Sequence, residues 1–259
     1  MRSKTAGPTR IDTTLSKGLQ ILEVLAASPS SIGITQLAMQ LELNKSNVHR
    51  LIQTLSAMNY VTQEPDRTYR ASLKLWKLGN MVLEHGSLIH LASRAMHKLA
   101  GEAGEDVLLT VLDGLQALYI DKIDSEQPVR AYTKRGGTAP LYCVATGKVL
   151  LAFNYDALRD VVAEKILAHS PRTITNLKNL DQEMERIRSN DIALNLGEYR
   201  ADVGGIAAPI RDSIGRVVAA IGVSGPLSRL TRQRMKELKP AVIEAAETIS
   251  KTLAKEQQV

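Results

Sequence analysis

The fold of the N-terminal part is decided by residues 43–55, LNKSNVHRLIQTL. Apolar side chains recur here at helical spacing, which predicts an α-helix with one buried stripe. The stripe consists of Val48, Leu51, Ile52, Leu55 and Met58. The opposite side offers hydrogen-bond donors and cations but no acid: Lys45, Ser46, Asn47, His49, Arg50, Gln53 and Thr54. Such a face suits duplex DNA, because Arg pairs bidentately with guanine while Ser, Asn and Gln reach other base edges or phosphates.

A polar face with cations also occurs on ordinary solvated helices, so the preceding residues matter. Thr35 is expected to cap a short helix over residues 36–40, and Asn44 is expected to cap the helix that follows the turn. Leu43 and Val48 have the spacing of a hydrophobic staple. Two short helices joined in this way are typical of a helix-turn-helix.

The residues after this helix predict a wing. Residues 60–63 and 68–70 alternate like strands around a turn in which Pro65 suits the second position. Arg67 and Arg70 lie on this hairpin and are expected to contact DNA phosphates. The sequence therefore predicts a DNA-binding winged helix-turn-helix.

Composition supports this placement of DNA binding. The 259 residues carry a net charge of +6, and residues 1–77 hold ten Lys or Arg against five Asp or Glu. The basic excess therefore lies mostly with the predicted DNA-binding part. No apolar run is long enough to span a membrane, no signal peptide is visible, and the single cysteine excludes an internal disulfide framework. These features predict a cytoplasmic protein.

The rest of the chain predicts an α+β protein in two domains, residues 1–88 and residues 89–259. The first domain ends in a linker helix, residues 72–85, which is apolar enough to pack against a partner chain through Leu75, Trp76, Leu78 and Met81. In the second domain, strand-like segments form two hairpins, and residues 216–224 read as a strand covered on both faces. A further strand is expected at residues 129–133.

These segments together resemble the IclR family of bacterial transcription regulators. The matching motifs occur in order at residues 16–22, 43–55, 73–76, 119–123, 139–143, 145–148, 197–200, 205–210 and 222–226. The resemblance implies a winged helix-turn-helix joined by a helical linker to a GAF-like effector domain with an antiparallel sheet flanked by helices, working as a dimer or a dimer of dimers. Asn47 stands where many relatives carry Thr, so an operator sequence is not carried over. Tyr142 stands where His is frequent, which argues against a metal there.

In the family, small organic effectors, often carboxylates, bind between the sheet and the loop before residues 145–148. The physical chemistry of the segment agrees, because the amides of Ala145 and Thr146 begin a helix and are free to hold an anion. Gly205, Gly222 and Ser224 lie on paired strands, and the two glycines are expected to leave room for a ligand beside the Ser hydroxyl. The alternative is that these glycines only allow close packing.

Asn195 resembles a polar pocket residue of relatives. No Lys or Arg is expected at this site. Cys143 is expected to be inert in an apolar stretch, with a redox sensor as the alternative. No metal site or cofactor is expected, because the histidines lack ligand spacing.

Three functions remain to be compared. The favoured one is a ligand-controlled DNA-binding regulator. The second is a constitutive DNA-binding protein whose C-terminal domain only oligomerises. The third, an enzyme with a DNA-binding module, is disfavoured because no catalytic constellation can be assembled.

Overall fold

The computed structural model describes residues 11–84 and 88–256, which fall into two compact units dividing between residues 86 and 87. The boundary predicted between residues 88 and 89 would lie slightly later, in the first turn of the helix that opens the second unit. Residue 85, the predicted end of the linker helix, lies outside the described residues. Among the helices that the structure describes, none combines the length and the apolar character needed to cross a bilayer.

The first unit is a winged helix-turn-helix with a helix after the wing. Its elements are α1 (Thr13–Ala27), α2 (Ile34–Gln40), α3 (Lys45–Ala57), β1 (Val61–Gln63), β2 (Tyr69–Ala71) and α4 (Leu73–Glu84). The predicted helices and the antiparallel hairpin are therefore confirmed. The buried stripe of α3, formed by Val48, Leu51 and Ile52, packs into a core that includes Ile21 and Leu37.

Several local predictions for this unit are wrong. Gly33 precedes α2, so Thr35 lies inside the helix and does not cap it. Asn44 does occupy the N-cap of α3, but its side chain makes no capping hydrogen bond. Met58, expected on the buried stripe, follows the end of α3 and is half exposed.

The second unit is an α+β domain built on one antiparallel sheet. Its elements are α5 (Leu88–Ala103), β3 (Asp106–Asp113), β4 (Gln116–Ile123), β5 (Thr138–Pro140), a 3-10 helix (Leu141–Cys143), α6 (Ala145–Phe153), α7 (Tyr155–Lys165), α8 (Leu177–Asn190), β6 (Ala193–Leu196), β7 (Val203–Arg211), β8 (Val217–Pro226) and α9 (Arg232–Glu256). The strand order is β5-β4-β3-β8-β7-β6.

Helices cover both faces of this sheet. Helices α5 and α9 pack on one face, with Leu99, Ile221 and Ile249 in the core between them and the sheet. Helices α6 and α8 close the other face around a second core that includes Leu150 and Met184. Strand β8 lies in the middle of the sheet between β3 and β7, as its unbroken apolar run predicts.

The prediction of a strand at residues 129–133 is wrong. This segment is irregular, and cationic side chains hold its carbonyl groups: Arg229 bonds the carbonyl of Val129 at 2.7 Å, and Lys122 bonds that of Thr133 at 3.0 Å. The place beside β4 is taken by β5. Strand β6, at the opposite edge of the sheet, was not predicted from the sequence.

Candidate nucleic-acid interface and ligand cavity

The outward face of α3 carries the predicted DNA-contacting side chains. Those exposed to solvent are Lys45, Ser46, His49, Arg50 and Gln53. Asn47 is half buried, and its Oδ1 accepts a hydrogen bond of 3.3 Å from Nη2 of Arg50. Because α3 contains no acidic residue, the Arg50 guanidinium has no carboxylate partner on its own helix and keeps donors for an external acceptor.

The wing presents its two arginines differently. Arg67 is exposed at the turn, where its φ of 64° is left-handed and its amide donates to the carbonyl of Glu64 at 3.0 Å. Hydrogen bonds from the Thr68 side chain and amide brace the turn and lower the pKa of Asp66. Arg70 forms an ion pair with Glu64 at 2.6 Å, in which the arginine is exposed and the carboxylate is partly buried. The exposed side of the guanidinium keeps donors for a phosphate beside this carboxylate.

The second unit contains a cavity of about 200 Å³ at the start of α6. Of the predicted ligand-binding residues, the lining contains Ala145, Thr146, Asn195, Gly205 and Ser224. The cavity therefore lies between the first turn of α6, the β7–β8 pair and the segments around β6. The first amides of α6 have no partner within the helix, and the N-cap residue, Val144, provides no side-chain cap.

Gly222 does not line this cavity, which corrects the expectation. A Cβ atom there would lie 2.8 Å from Cγ2 of Thr146 and 2.8 Å from the carbonyl oxygen of Ile206. The glycine thus allows α6 to approach the sheet, and the packing alternative holds at this position. Gly205 lines the cavity, although a Cβ atom there would already lie 3.4 Å from Cβ of Ala145.

Several hydroxyl groups of the lining have no hydrogen-bond partner among the described residues. Two of them belong to Tyr119 on β4 and to Thr146. Burial raises the pKa of Tyr119, so its hydroxyl stays protonated and can donate. Ser224 makes only a long hydrogen bond, 3.4 Å, to the carbonyl of Gly204. The cavity therefore contains polar groups that a ligand could satisfy.

Two cations also line the cavity, contrary to the expectation that none would. Arg200 and Lys134 are both exposed, and they come from segments far apart in the sequence. Arg200 donates to the carbonyl oxygen of Tyr132 at 3.3 Å, while Nζ of Lys134 lies 5.3 Å from the centre of the Tyr132 ring. Only the fold brings these two side chains to one rim.

Asn195 shapes the cavity wall from inside. Its Oδ1 accepts hydrogen bonds from the amides of Gly197, at 3.1 Å, and Glu198, at 2.8 Å. The segment that carries Tyr199 and Arg200 into the lining is thereby fixed to β6. The side-chain oxygen of Asn195 is thus already engaged within the protein.

A buried ion cluster joins this segment to α6. The ammonium group of Lys148, only 1% exposed, lies 2.7 Å from Glu198 and 3.0 Å from Glu183 on α8. Burial raises the pKa of Glu198, although the ammonium group of Lys148 acts to lower it. Burial also disfavours the charge of Glu183, but hydrogen bonds from Arg186 and Lys148 outweigh it and lower the pKa of Glu183. Sequence reasoning assigned no role to Lys148. Its position in the motif does not show that the side chain is buried.

Cys143 is fully buried beside this site, and burial raises the pKa of its thiol to about 12. The thiol is therefore protonated near neutral pH, which disfavours the redox alternative. Within the described ranges, no three His, Cys, Asp or Glu side chains are grouped as metal ligands.

Comparison with known proteins agrees with these features. Residues 14–65 match the IclR helix-turn-helix domain, and residues 80–251 match the C-terminal domain of the bacterial transcriptional regulator IclR. The chain belongs to the IclR family of transcriptional regulators. It is therefore grouped with DNA-binding regulators and not with enzymes.

Individual IclR-family proteins align with almost the whole chain. The HTH-type transcriptional regulator KdgR of Escherichia coli is 32% identical, and the alignment covers 92% of each chain. The crystal structure of Thermotoga maritima IclR is 29% identical, with a TM-score of 0.76 over 93% of this chain and 98% of that one. An IclR homolog from Microbacterium hydrocarbonoxydans, crystallised with 4-hydroxybenzoate, is 24% identical, with a TM-score of 0.81 over 93% and 99% of the two chains.

Replacing Lys148 tests the ion cluster. Lys148→Met would leave the buried carboxylate of Glu198 without a cation and Glu183 with Arg186 alone, at an expected cost of about 3 to 5 kcal/mol in unfolding free energy. Urea denaturation measures this. The matched control is Lys98→Met, which removes an exposed pair with Glu244 and should change stability much less. Equal losses in the two variants would contradict the structural role of the cluster.

Proposed function

We propose that this IclR-family protein binds operator DNA through α3 and the wing as a self-assembled dimer or dimer of dimers. We further propose that a small organic carboxylate in the cavity of the second unit changes its affinity for that DNA. The observation that carries the proposal is the cavity itself, in which unpaired donors and two cations surround a space large enough for a small acid.

The DNA-binding part of the proposal rests on the acid-free outer face of α3. A helix of this kind enters the major groove, where Arg50 would read a base edge and Ser46 and Asn47 would contact bases or phosphates. Arg67, which makes no ion pair within the described residues, would bind a phosphate beside the groove. We assign the same positioning role to Arg70, and phosphate or base contacts to Lys45, His49 and Gln53.

The chemistry of the cavity supports an anionic ligand. The α6 amides at Ala145 and Thr146 would hold a carboxylate at the positive end of the helix dipole. The Tyr119 and Ser224 hydroxyls would hold other polar atoms, and Arg200 would attract the acid at the rim. The homolog crystallised with 4-hydroxybenzoate supports the same class of ligand. The alternative, a constitutive DNA-binding protein, does not explain why these donors have no hydrogen-bond partner in the cavity.

Self-assembly is supported by exposed apolar side chains in the first unit. On α4, Leu73 is 82% exposed and Trp76 is 68% exposed, and the two lie one turn apart. Leu75, which was expected to face a partner, packs against the core of its own unit instead. Leu15 and Leu19 of α1 are also exposed. Large exposed apolar side chains grouped in this way are typical of an interface.

The assignment of Arg50 is tested with two variants on one operator. Arg50→Ala should cost about 1 to 3 kcal/mol of binding free energy and relax specificity at one position of each half-site. Arg67→Ala should weaken binding to all sequences about equally, because it removes only a phosphate contact. Fluorescence anisotropy with operator and single-substituted duplexes measures both, with Arg94→Ala as a control for the loss of one charge. Equal losses on every duplex for Arg50→Ala would reduce Arg50 to a phosphate contact.

The apolar surface of α4 gives a prediction about assembly. Leu73→Lys/Trp76→Lys should dissociate the protein, since four lysines would face one another across a dimer of this face. Sedimentation velocity at micromolar concentration measures the mass, and Val161→Lys/Leu167→Lys is the control at two other exposed apolar positions. A dimer would place two recognition helices for successive major grooves, about 34 Å apart. A wild-type monomer would defeat the proposal.

The effector proposal is tested with a panel of small aliphatic and aromatic acids that includes 4-hydroxybenzoate. Acids that bind should raise the melting temperature and change operator affinity. Arg200→Gln should weaken that binding about tenfold, because a charge-assisted hydrogen bond is lost. Tyr119→Phe should weaken it less, and Arg94→Gln should leave it unchanged.

Acids that stabilise wild type and Arg200→Gln alike would place the ligand elsewhere. If no acid alters operator affinity, the result favours the alternative of a constitutive DNA-binding protein. Gly222→Leu is unsuitable as a filling variant, since its side chain would displace α6 from the sheet.

A further inference from the structure

The second unit has a groove on the far side of β6 from the ligand cavity. Its floor is apolar: Leu194 is partly exposed there, and Ile192, Ile206 and Met235 lie almost fully buried beneath it. Its rim is cationic and includes Arg232, Lys236 and Lys239 from α9, with Arg186 from α8 on the other side. We call this surface the β6 groove. No acidic side chain of the described residues lines it.

We propose that the β6 groove binds an acidic, extended peptide segment of a partner protein, which adds to the sheet beside β6. This surface is separate from the DNA-binding face and from the effector cavity, and the proposal does not depend on either.

The sheet edge supports strand addition. Among the described strands, β6 pairs only with β7, so one of its two edges has no neighbouring strand. Arg172 bonds the carbonyl of Leu196 at 3.1 Å on this edge, so the backbone groups left for a peptide are those of Leu194, two residues earlier. An open edge presents backbone donors and acceptors that an extended peptide can pair with, and main-chain hydrogen bonds of this kind are a common mode of peptide recognition. Leu194, the partly exposed residue of the floor, lies on this strand.

The charge of the rim decides the chemistry of the peptide. Arg232, Lys236 and Lys239 make no ion pair among the residues that the structure describes, whereas Arg234 on the same turns of α9 pairs with Glu237 at 3.4 Å. Three cations without carboxylates, above a floor without acids, complement an acidic partner.

The spacing of these cations fits an extended chain. Arg232, Lys236 and Lys239 lie on one face of α9, because they are four and three residues apart. Arg232 and Lys236 are separated by about 6 Å along the helix axis. Alternate residues of a strand are separated by about 6.8 Å. Acidic side chains at alternate positions of a peptide that runs along α9 would match this spacing, and the methylene groups of Glu would cover Leu194.

Other occupants fit less well. The first ten residues of this chain hold three cations and no acid. A second copy that paired through the same edge would bring the two sets of cations together. Duplex DNA could bind the cations, but it would use neither the open strand edge nor the apolar floor.

Binding of a designed peptide to the full-length protein tests the proposal. The probe is a fluorescein-labelled ten-residue peptide of alternating Glu and Val, measured by anisotropy at low salt. Lys236→Glu/Lys239→Glu should weaken binding about tenfold or more, since two attractive contacts become repulsive. The control is Lys165→Glu/Lys178→Glu, which makes the same charge change at exposed lysines outside the groove. Hydrogen exchange should slow in β6 when the peptide binds.

Several results would overturn the proposal. One is equal binding to the two double variants, and another is equal binding of a Lys-Val peptide to wild type. A Glu-Pro peptide that binds as well as the Glu-Val peptide would exclude strand addition, because proline has no amide donor. If a duplex of random sequence displaces the peptide and itself binds Lys236→Glu/Lys239→Glu more weakly, the groove is a nucleic-acid surface instead.

Discussion

The second unit depends on how closely α6 lies against its sheet. Gly147 faces the 3-10 helix, where a Cβ atom would come within 2.6 Å of the carbonyl oxygen of Leu141, and Gly222 gives the same clearance on the sheet side. Because the helix is held so near, its fourth residue, Lys148, is buried and pairs with the carboxylates of Glu183 and Glu198. The same placement leaves the start of α6 at the wall of a cavity, with amides that the helix itself cannot satisfy.

Much of this architecture follows from the sequence because its signals are local and periodic. Apart from Met58, the stripe of α3 predicts its burial correctly because it is long enough to show a period, and the unbroken apolar run of β8 does so because of its length. The short edge strands β5 and β6 have three and four residues, too few to show one. The prediction of a strand at residues 129–133 is wrong although these residues alternate like a strand. The place beside β4 is occupied by β5, and cations bond the carbonyl groups of residues 129 and 133.

Some residues of the ligand cavity could likewise be predicted from the sequence, and others could not. Ala145, Thr146 and Ser224 could be predicted, because a helix start and one face of a strand are visible in the sequence. Arg200, Lys134 and Tyr119 could not, since they reach the cavity from three separate segments that only the tertiary fold brings together. Gly222 shows the limit of arguing from a missing side chain: the space that a glycine leaves can be taken by a neighbour, here the methyl group of Thr146.

Strand β6 separates the cavity from the β6 groove. Consecutive side chains of a strand point to opposite faces, so Asn195 lines the cavity while Leu194 lines the groove. The strand is paired with β7 on one side, Arg172 bonds the carbonyl of Leu196 on the other, and the Asn195 side chain fixes the segment that carries Arg200. The cavity and the groove are therefore built on opposite faces of one short backbone segment.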